Sequence, residues 1–146
     1  MKINTTRFGE VDAQEEVIFN FVDPLLGYEN EKQYVLIEHS DQSNLKWLQS
    51  TQTPELAFVV TIAGLFGVEY SFELPDSTQE KLEIETVEDL LALNVVVIPH
   101  ANPRNAPINL LAPIIINLKN KKASQVVLSG TAFPLDYPLF DRGVLC

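Results

Sequence analysis

The chain has 146 residues, 46% of them hydrophobic, which suits one domain of ordinary size with a real buried core. Its formal net charge of −10 repels phosphate backbones, arguing against direct nucleic-acid binding and favouring encounter with basic proteins. No run reaches the roughly 18 uninterrupted apolar residues of a membrane span, the opening Met1-Lys2-Ile3-Asn4-Thr5-Thr6-Arg7 lacks the apolar core of a signal peptide, and the single cysteine, Cys146, forms neither an internal disulfide nor a Cys-based metal cage, so a cytosolic protein is expected.

Residues 2–6 alternate weakly and read as an edge strand. Residues 17–21 are rich in β-formers and stop at Asp23-Pro24, after which Leu25-Leu26-Gly27-Tyr28 makes a turn. Residues 34–38 form a clear strand, 40–44 a turn, and 45–50 a second strand with Trp47 and Gln49 on the face opposite Leu48. After Thr53-Pro54, residues 56–62 are almost continuously apolar, the mark of a strand buried on both faces in a closed barrel or covered sheet. Residues 70–74 alternate as a further strand ending at Pro75.

Ser77-Thr78-Gln79-Glu80 fits a capping box, and Thr86-Val87-Glu88-Asp89 has a similar shape, so short helices are predicted over residues 77–83 and 87–91. A strand follows over 93–98, then a proline-rich loop over 99–107. Residues 108–118 read as one long strand in which Pro113, lacking an amide donor, marks an edge or a bulge. Lys119-Asn120-Lys121-Lys122 is a turn, and 124–128 returns as a hairpin. Pro134, Pro138 and Gly143 predict an irregular tail over about 130–146. About nine strands and two short helices predict a mainly β fold, a small antiparallel β-barrel-like domain covering residues 1–146.

The acids are unevenly placed. Glu69, Glu73, Asp76, Glu80, Glu83, Glu85, Glu88 and Asp89 fall in one stretch against Lys81 alone, whereas residues 90–135 hold no acid and carry Arg104, Lys119, Lys121 and Lys122. A polarised surface is expected, although helix N-termini also attract acids for purely structural reasons.

Catalytic chemistry is hard to find. His39 sits in a polar turn and His100 in a proline loop, each better read as an ordinary loop residue than as a base. No nucleophile elbow and no phosphate-binding Gly-Lys loop occurs, and the Gly-x-x-Gly spacing at Gly64-Leu65-Phe66-Gly67 lies in acidic surroundings unsuited to RNA. Two distant histidines and a terminal thiol have no metal-ligand spacing, so neither metal nor cofactor is implied. The residues alone leave open a small barrel hydrolase using paired carboxylates, or a structural subunit of a larger assembly.

Four phrases in order narrow this further: Leu48-Gln49-Ser50 with Pro54-Glu55-Leu56-Ala57-Phe58-Val59-Val60; Phe72-Glu73-Leu74-Pro75-Asp76; Asn109-Leu110-Leu111-Ala112-Pro113-Ile114-Ile115-Ile116-Asn117; and Gln125-Val126-Val127-Leu128. Together they resemble the FliW family of bacterial flagellar assembly factors, over nearly the whole chain from Phe8-Gly9 to Leu139. The resemblance implies a small, non-enzymatic β-barrel-like protein that binds two partners in the cytosol. One is flagellin, held before export. The other is CsrA, a small basic RNA-binding regulator that represses flagellin translation. In the family scheme flagellin competes for the factor, and its export frees the factor to bind CsrA and relieve repression.

An acidic face suits a basic regulator, and Glu69, Tyr70, Glu73 and Asp76 are the expected CsrA contacts, the tyrosine as anchor and the acids for steering. The flagellin contact is expected near Asn105 and Asn109 or on the tail at Phe133 and Tyr137. The sequence departs from the family pattern at three places: the early turn Asp23-Pro24-Leu25-Leu26-Gly27-Tyr28, a missing proline around residues 61–64, and Phe133 and Asp136 where the family has Tyr and Arg.

Overall fold

The structure is a computed structural model, and it describes residues 2–14, 18–25, 27–38, 45–63, 70, 72–96, 107–128, 130–134 and 136–138. Lys2–Thr5 (β1) and Gly9–Asp12 (β2) form an antiparallel hairpin. Ile18–Asp23 (β3), Gln33–Glu38 (β4), Leu45–Ser50 (β5), Ala57–Thr61 (β6) and Leu90–Val96 (β7) run as an antiparallel meander. Pro107–Ile108 (β8) pairs with the end of β7 through Val96 and Ile108. Ile114–Asn117 (β9) pairs antiparallel with β7, and Lys122–Gln125 (β10) pairs antiparallel with β9 and parallel with β3. The β7–β9 and β10–β3 contacts close seven strands into a barrel. Tyr137–Pro138 (β11) lies against β8, outside the ring.

Strand alternation decides what fills the barrel. Tyr34, Leu48, Val60, Leu93, Ile114 and Ile116 all face inward, fully buried with Phe19, Phe21 and Ala123. The opposite face of β9 is not wet, because Ile115 packs with Leu82, Val126 and Leu128 under the segments that cross outside the barrel. On another wall the β1–β2 hairpin sets Ile3 and Ala13 against Ile18 and Val35. Its turn reaches over β5, where Arg7 lies 4.3 Å above the Trp47 ring and Phe8 meets the same ring edge-on.

The Leu-Gln-Ser phrase builds the β5–β6 corner. Leu48 and Gln49 are both fully buried on opposite faces. Gln49 Nε2 donates to Thr53 O at 3.3 Å and Pro54 O at 3.2 Å. Ser50 Oγ donates to the Glu31 carboxylate at 2.6 Å and accepts the amides of Gln52 and Thr53. The Thr53 hydroxyl also donates to Glu31. Gln49 Oε1 is left buried without a partner among the described residues, but the other polar groups are paired, so the corner is tied by its own side chains.

Several expectations change. Residues 70 and 72–75 carry no ladder, because they cross outside the barrel rather than joining it. The long strand expected over 108–118 is two pieces, since the chain bends over residues 109–113 and Pro113, with no amide to offer, precedes β9. The second helix shrinks to a 3₁₀ turn, Val87–Asp89, and the strand starts at Leu90 instead of residue 93. Hairpin strand β2 was not anticipated, nor was the short β11 in a tail expected to be irregular. The turn at 40–44, His39, His100 and the Gly64 to Gly67 spacing lie outside the described residues.

Candidate partner-binding surface

The acidic stretch folds as an outer layer over β7 and β9. Phe72 and Leu74 turn inward, half-buried against the Leu82–Ile115 cluster, while Glu73 between them is exposed. The alternation of a strand thus survives without a ladder. Asp76–Leu82 forms the one α-helix (α1) among the described residues. It begins two residues earlier than a capping box with Ser77 as N-cap requires. Pro75 is its N-cap with no side-chain cap bond, and the Thr78 and Gln79 amides both donate to Pro75 O. Ser77 is therefore already inside the helix. Gln79 Nε2 instead reaches back to Leu74 O at 2.9 Å, tying α1 to the preceding segment.

The far end of α1 is clamped by the β9–β10 hairpin on which it lies. Glu83 is left-handed, with φ 54°, and Ile84 N donates to Gln79 O at 3.0 Å, a Schellman-type ending on a non-glycine residue. Buried Asn117 donates to Leu82 O at 2.8 Å and Asn120 donates to the same oxygen at 3.0 Å, satisfying a carbonyl that helix ends leave orphaned. Lys122 Nζ lies 2.5 Å from the Glu83 carboxylate, and that hydrogen bond and charge hold Glu83 below the usual carboxylate range.

These contacts change the charge picture. The basic run does not make a separate face, because Lys119 pairs with Glu85 at 3.3 Å and Lys122 with Glu83. Lys81 turns away to Asp23 at 3.2 Å. Among the described residues, Glu73, Asp76, Glu80 and Glu88 are exposed and carry no ion pair. These four acids lie on α1, on the segment before it and on the 3₁₀ turn, and give this layer its anionic character.

Tyr70 is the hub beside this surface. Its ring packs edge-on to Phe133 at 4.8 Å and tilted against Phe72 at 5.0 Å. Its hydroxyl donates to Leu110 O and accepts from Asn94 Nδ2 at 3.3 Å. Burial pushes the phenol up to about 12, with the Asn94 hydrogen bond opposing the shift. Asn109 completes the hub: its carbonyl accepts from Asn94 at 2.9 Å and its Oδ1 accepts from the Ala112 amide at 2.9 Å, shaping the bend before β9. Tyr137 packs with Tyr70 and Phe133 on the Val96, Ile108 and Leu110 cluster.

Residues assigned separately from sequence therefore meet. Tyr70, Asn109, Phe133 and Tyr137 share one half-buried aromatic and polar patch, with Glu73 and Asp76 exposed along its neighbouring segment. Glu69 and Asn105 lie outside the described residues. Sequence reasoning did not single out the groove beside them. A cavity of about 370 Å³ runs along Phe72, Leu74, Ile84, Val87, Leu90 and Ile115. The available signal was Val87 standing alone between acids, but no local pattern says that Leu74 and Ile84 would lie next to it.

Comparisons with known proteins agree with this architecture. The family model described as FliW protein matches residues 2–139. The chain is 42% identical to the flagellar assembly factor FliW of Syntrophus aciditrophicus, across 95% of this chain and 87% of that protein. It is 38% identical to that of Caldicellulosiruptor saccharolyticus, across 92% and 88%, and 36% identical to that of Bacillus subtilis, across 95% and 96%. A crystal structure of the flagellar assembly factor FliW superposes with a TM-score of 0.87 at 30% identity, covering 96% of this chain and 97% of that one. A seven-stranded barrel of this topology, with relatives this similar over nearly its full length, makes the chain a member of the FliW family of flagellar assembly factors.

Proposed function

We propose that the chain is a cytoplasmic, non-enzymatic binding protein that holds flagellin before export and antagonises the translational regulator CsrA by direct contact, relieving repression of flagellin translation. Family membership is the observation that carries this reading. The exposed carboxylates of Glu73, Asp76, Glu80 and Glu88, which carry no ion pair among the described residues, support it, since they offer a negative potential to a basic RNA-binding protein. Within the proposal, Glu69, Glu73 and Asp76 steer CsrA and Tyr70 anchors it. Because the tyrosine hydroxyl is already engaged, its contribution comes from the ring edge and from the rigid platform it makes with Phe133. Flagellin is assigned to the adjoining patch of Asn105, Asn109, Phe133 and Tyr137.

The test is binding of purified CsrA and flagellin at low ionic strength. Glu73→Lys combined with Asp76→Lys weakens CsrA binding by about tenfold or more and leaves the circular dichroism spectrum unchanged, because both side chains are exposed. An unchanged dissociation constant removes this site, and failure of the parent chain to bind either protein removes the function.

A further inference from the structure

We propose that the groove between residues 72–74 and the 3₁₀ turn receives a short helical segment of a partner protein, with a row of aliphatic side chains on one face and Lys or Arg on its flanks. The inference rests on the reading of this region as a partner-binding face and adds a contact that charge alone does not supply.

Scattered exposed hydrophobic residues are normal and mean little by themselves. Val87 differs. At 79% exposed it is the most exposed large hydrophobic residue among those described, and it borders a cavity continuous with half-buried Leu74, Ile84 and Leu90. The cavity volume of about 370 Å³ falls within the range of ligand-holding clefts, enough for side chains of a docked ridge. Its floor is pinned by hydrogen bonds, because Gln79 ties Leu74 to α1 and Asn117 with Asn120 clamps the end of α1 beside Ile84. A preformed floor avoids the ordering cost that weakens docking onto mobile surfaces.

The surroundings of the groove select the occupant: Asp76 and Glu80 line an adjoining concavity that shares Gln79 and Ile84 with it, and Glu88 directly follows Val87 in the chain. Asp76, Glu80 and Glu88 are exposed acids without ion pairs among the described residues, and the neighbouring lysines are already engaged. An apolar segment flanked by acids meets like charge here, whereas one flanked by lysines places each ammonium near an exposed carboxylate. A convex helical ridge bearing leucines is the recurrent way to fill such a groove.

The experiment uses the full chain and a fluorescein-labelled helical peptide with leucines on one face and lysines on its flanks, followed by anisotropy. Two control peptides accompany it: a scramble of the same composition without an apolar face, and a version with glutamates in place of lysines. The amphipathic basic peptide binds about tenfold or more tightly than either control, and Val87→Asp and Glu80→Lys each weaken it by a similar factor. Val87 and Glu80 are exposed, and matching thermal midpoints verify the fold of both variants.

Equal binding of the scramble, or indifference to both substitutions, overturns the groove. The parent reading fails separately. If the peptide docks and responds to Val87→Asp while neither CsrA nor flagellin binds the parent chain, the groove stands and the named partners fall. If CsrA or flagellin binds while the peptide does not, the groove falls and the partners stand.

Discussion

At the scale of single residues, the polar side chains that matter most are buried. Ser50 illustrates this: its hydroxyl donates to Glu31 and accepts two amides, so one oxygen organises the β5–β6 corner. Ser50→Ala leaves those amides without their acceptor and the carboxylate with only the Thr53 hydroxyl, and costs about 1–3 kcal/mol, measurable as a shift of the urea midpoint at constant slope. Tyr70 contributes a pH signature. Burial raises its phenol from 10.0 to about 12, so the unfolded chain releases that proton first. Its stabilisation is complete below pH 10 and is lost as pH rises through about 12. Tyr70→Phe makes the alkaline fall in stability between these values shallower, as followed by urea titrations at stepped pH. Tyr34, buried in the barrel and close to Glu31, is pushed up still further, and it adds to the same alkaline limb.

Secondary-structure elements show where local signals lose to context. Helix α1 has seven residues, too short to persist on propensity alone, and its ends depend on partners elsewhere. Asn117→Ala removes the buried bond to Leu82 O and destabilises the protein by about 1–3 kcal/mol. Hydrogen exchange at residues 82–84 speeds up before the barrel amides do, because the loss is confined first to the helix end. Thr86 caps its 3₁₀ turn by accepting the Glu88 amide, but the box at Ser77 does not form, for a related reason. Pro75 sets an extended entry that lets the helix start at Asp76, and Gln79 finds its acceptor in Leu74. By contrast, the strands at 34–38 and 45–50 were legible to within a residue. Their period-two pattern and flanking turns are local, and burial on the barrel interior agrees with them.

The whole molecule stands or falls by barrel closure. Ile114 and Ile116 bridge β7 and β10 from inside, both fully buried. Ile114→Ala opens a cavity at this seam and costs about 2–5 kcal/mol in chemical denaturation. The candidate surface depends on the same seam, because Asn117 at the end of β9 holds α1 and β8 carries the bend that meets Tyr70. Most of the site was legible as a list of residue types, since an acid-rich stretch and a few aromatics are visible in one dimension. Their arrangement was not. Tyr70, from one expected contact set, shares an aromatic patch with Phe133 and Tyr137 from the other, and the basic run expected to oppose the acids folds back upon them.

The sequence alone determined a β-rich chain, the positions of its inner strands and an excess of negative charge, because alternation, turn residues and composition are properties of neighbours. Only the tertiary structure decided which strands meet to close the ring, which carboxylates the lysines engage, and where Tyr70 points. Those depend on partners far apart in the chain, such as Leu110, 40 positions from Tyr70, and Lys122, 39 from Glu83. Such contacts form because closing the barrel buries its apolar faces, and no short window of residues carries that free energy.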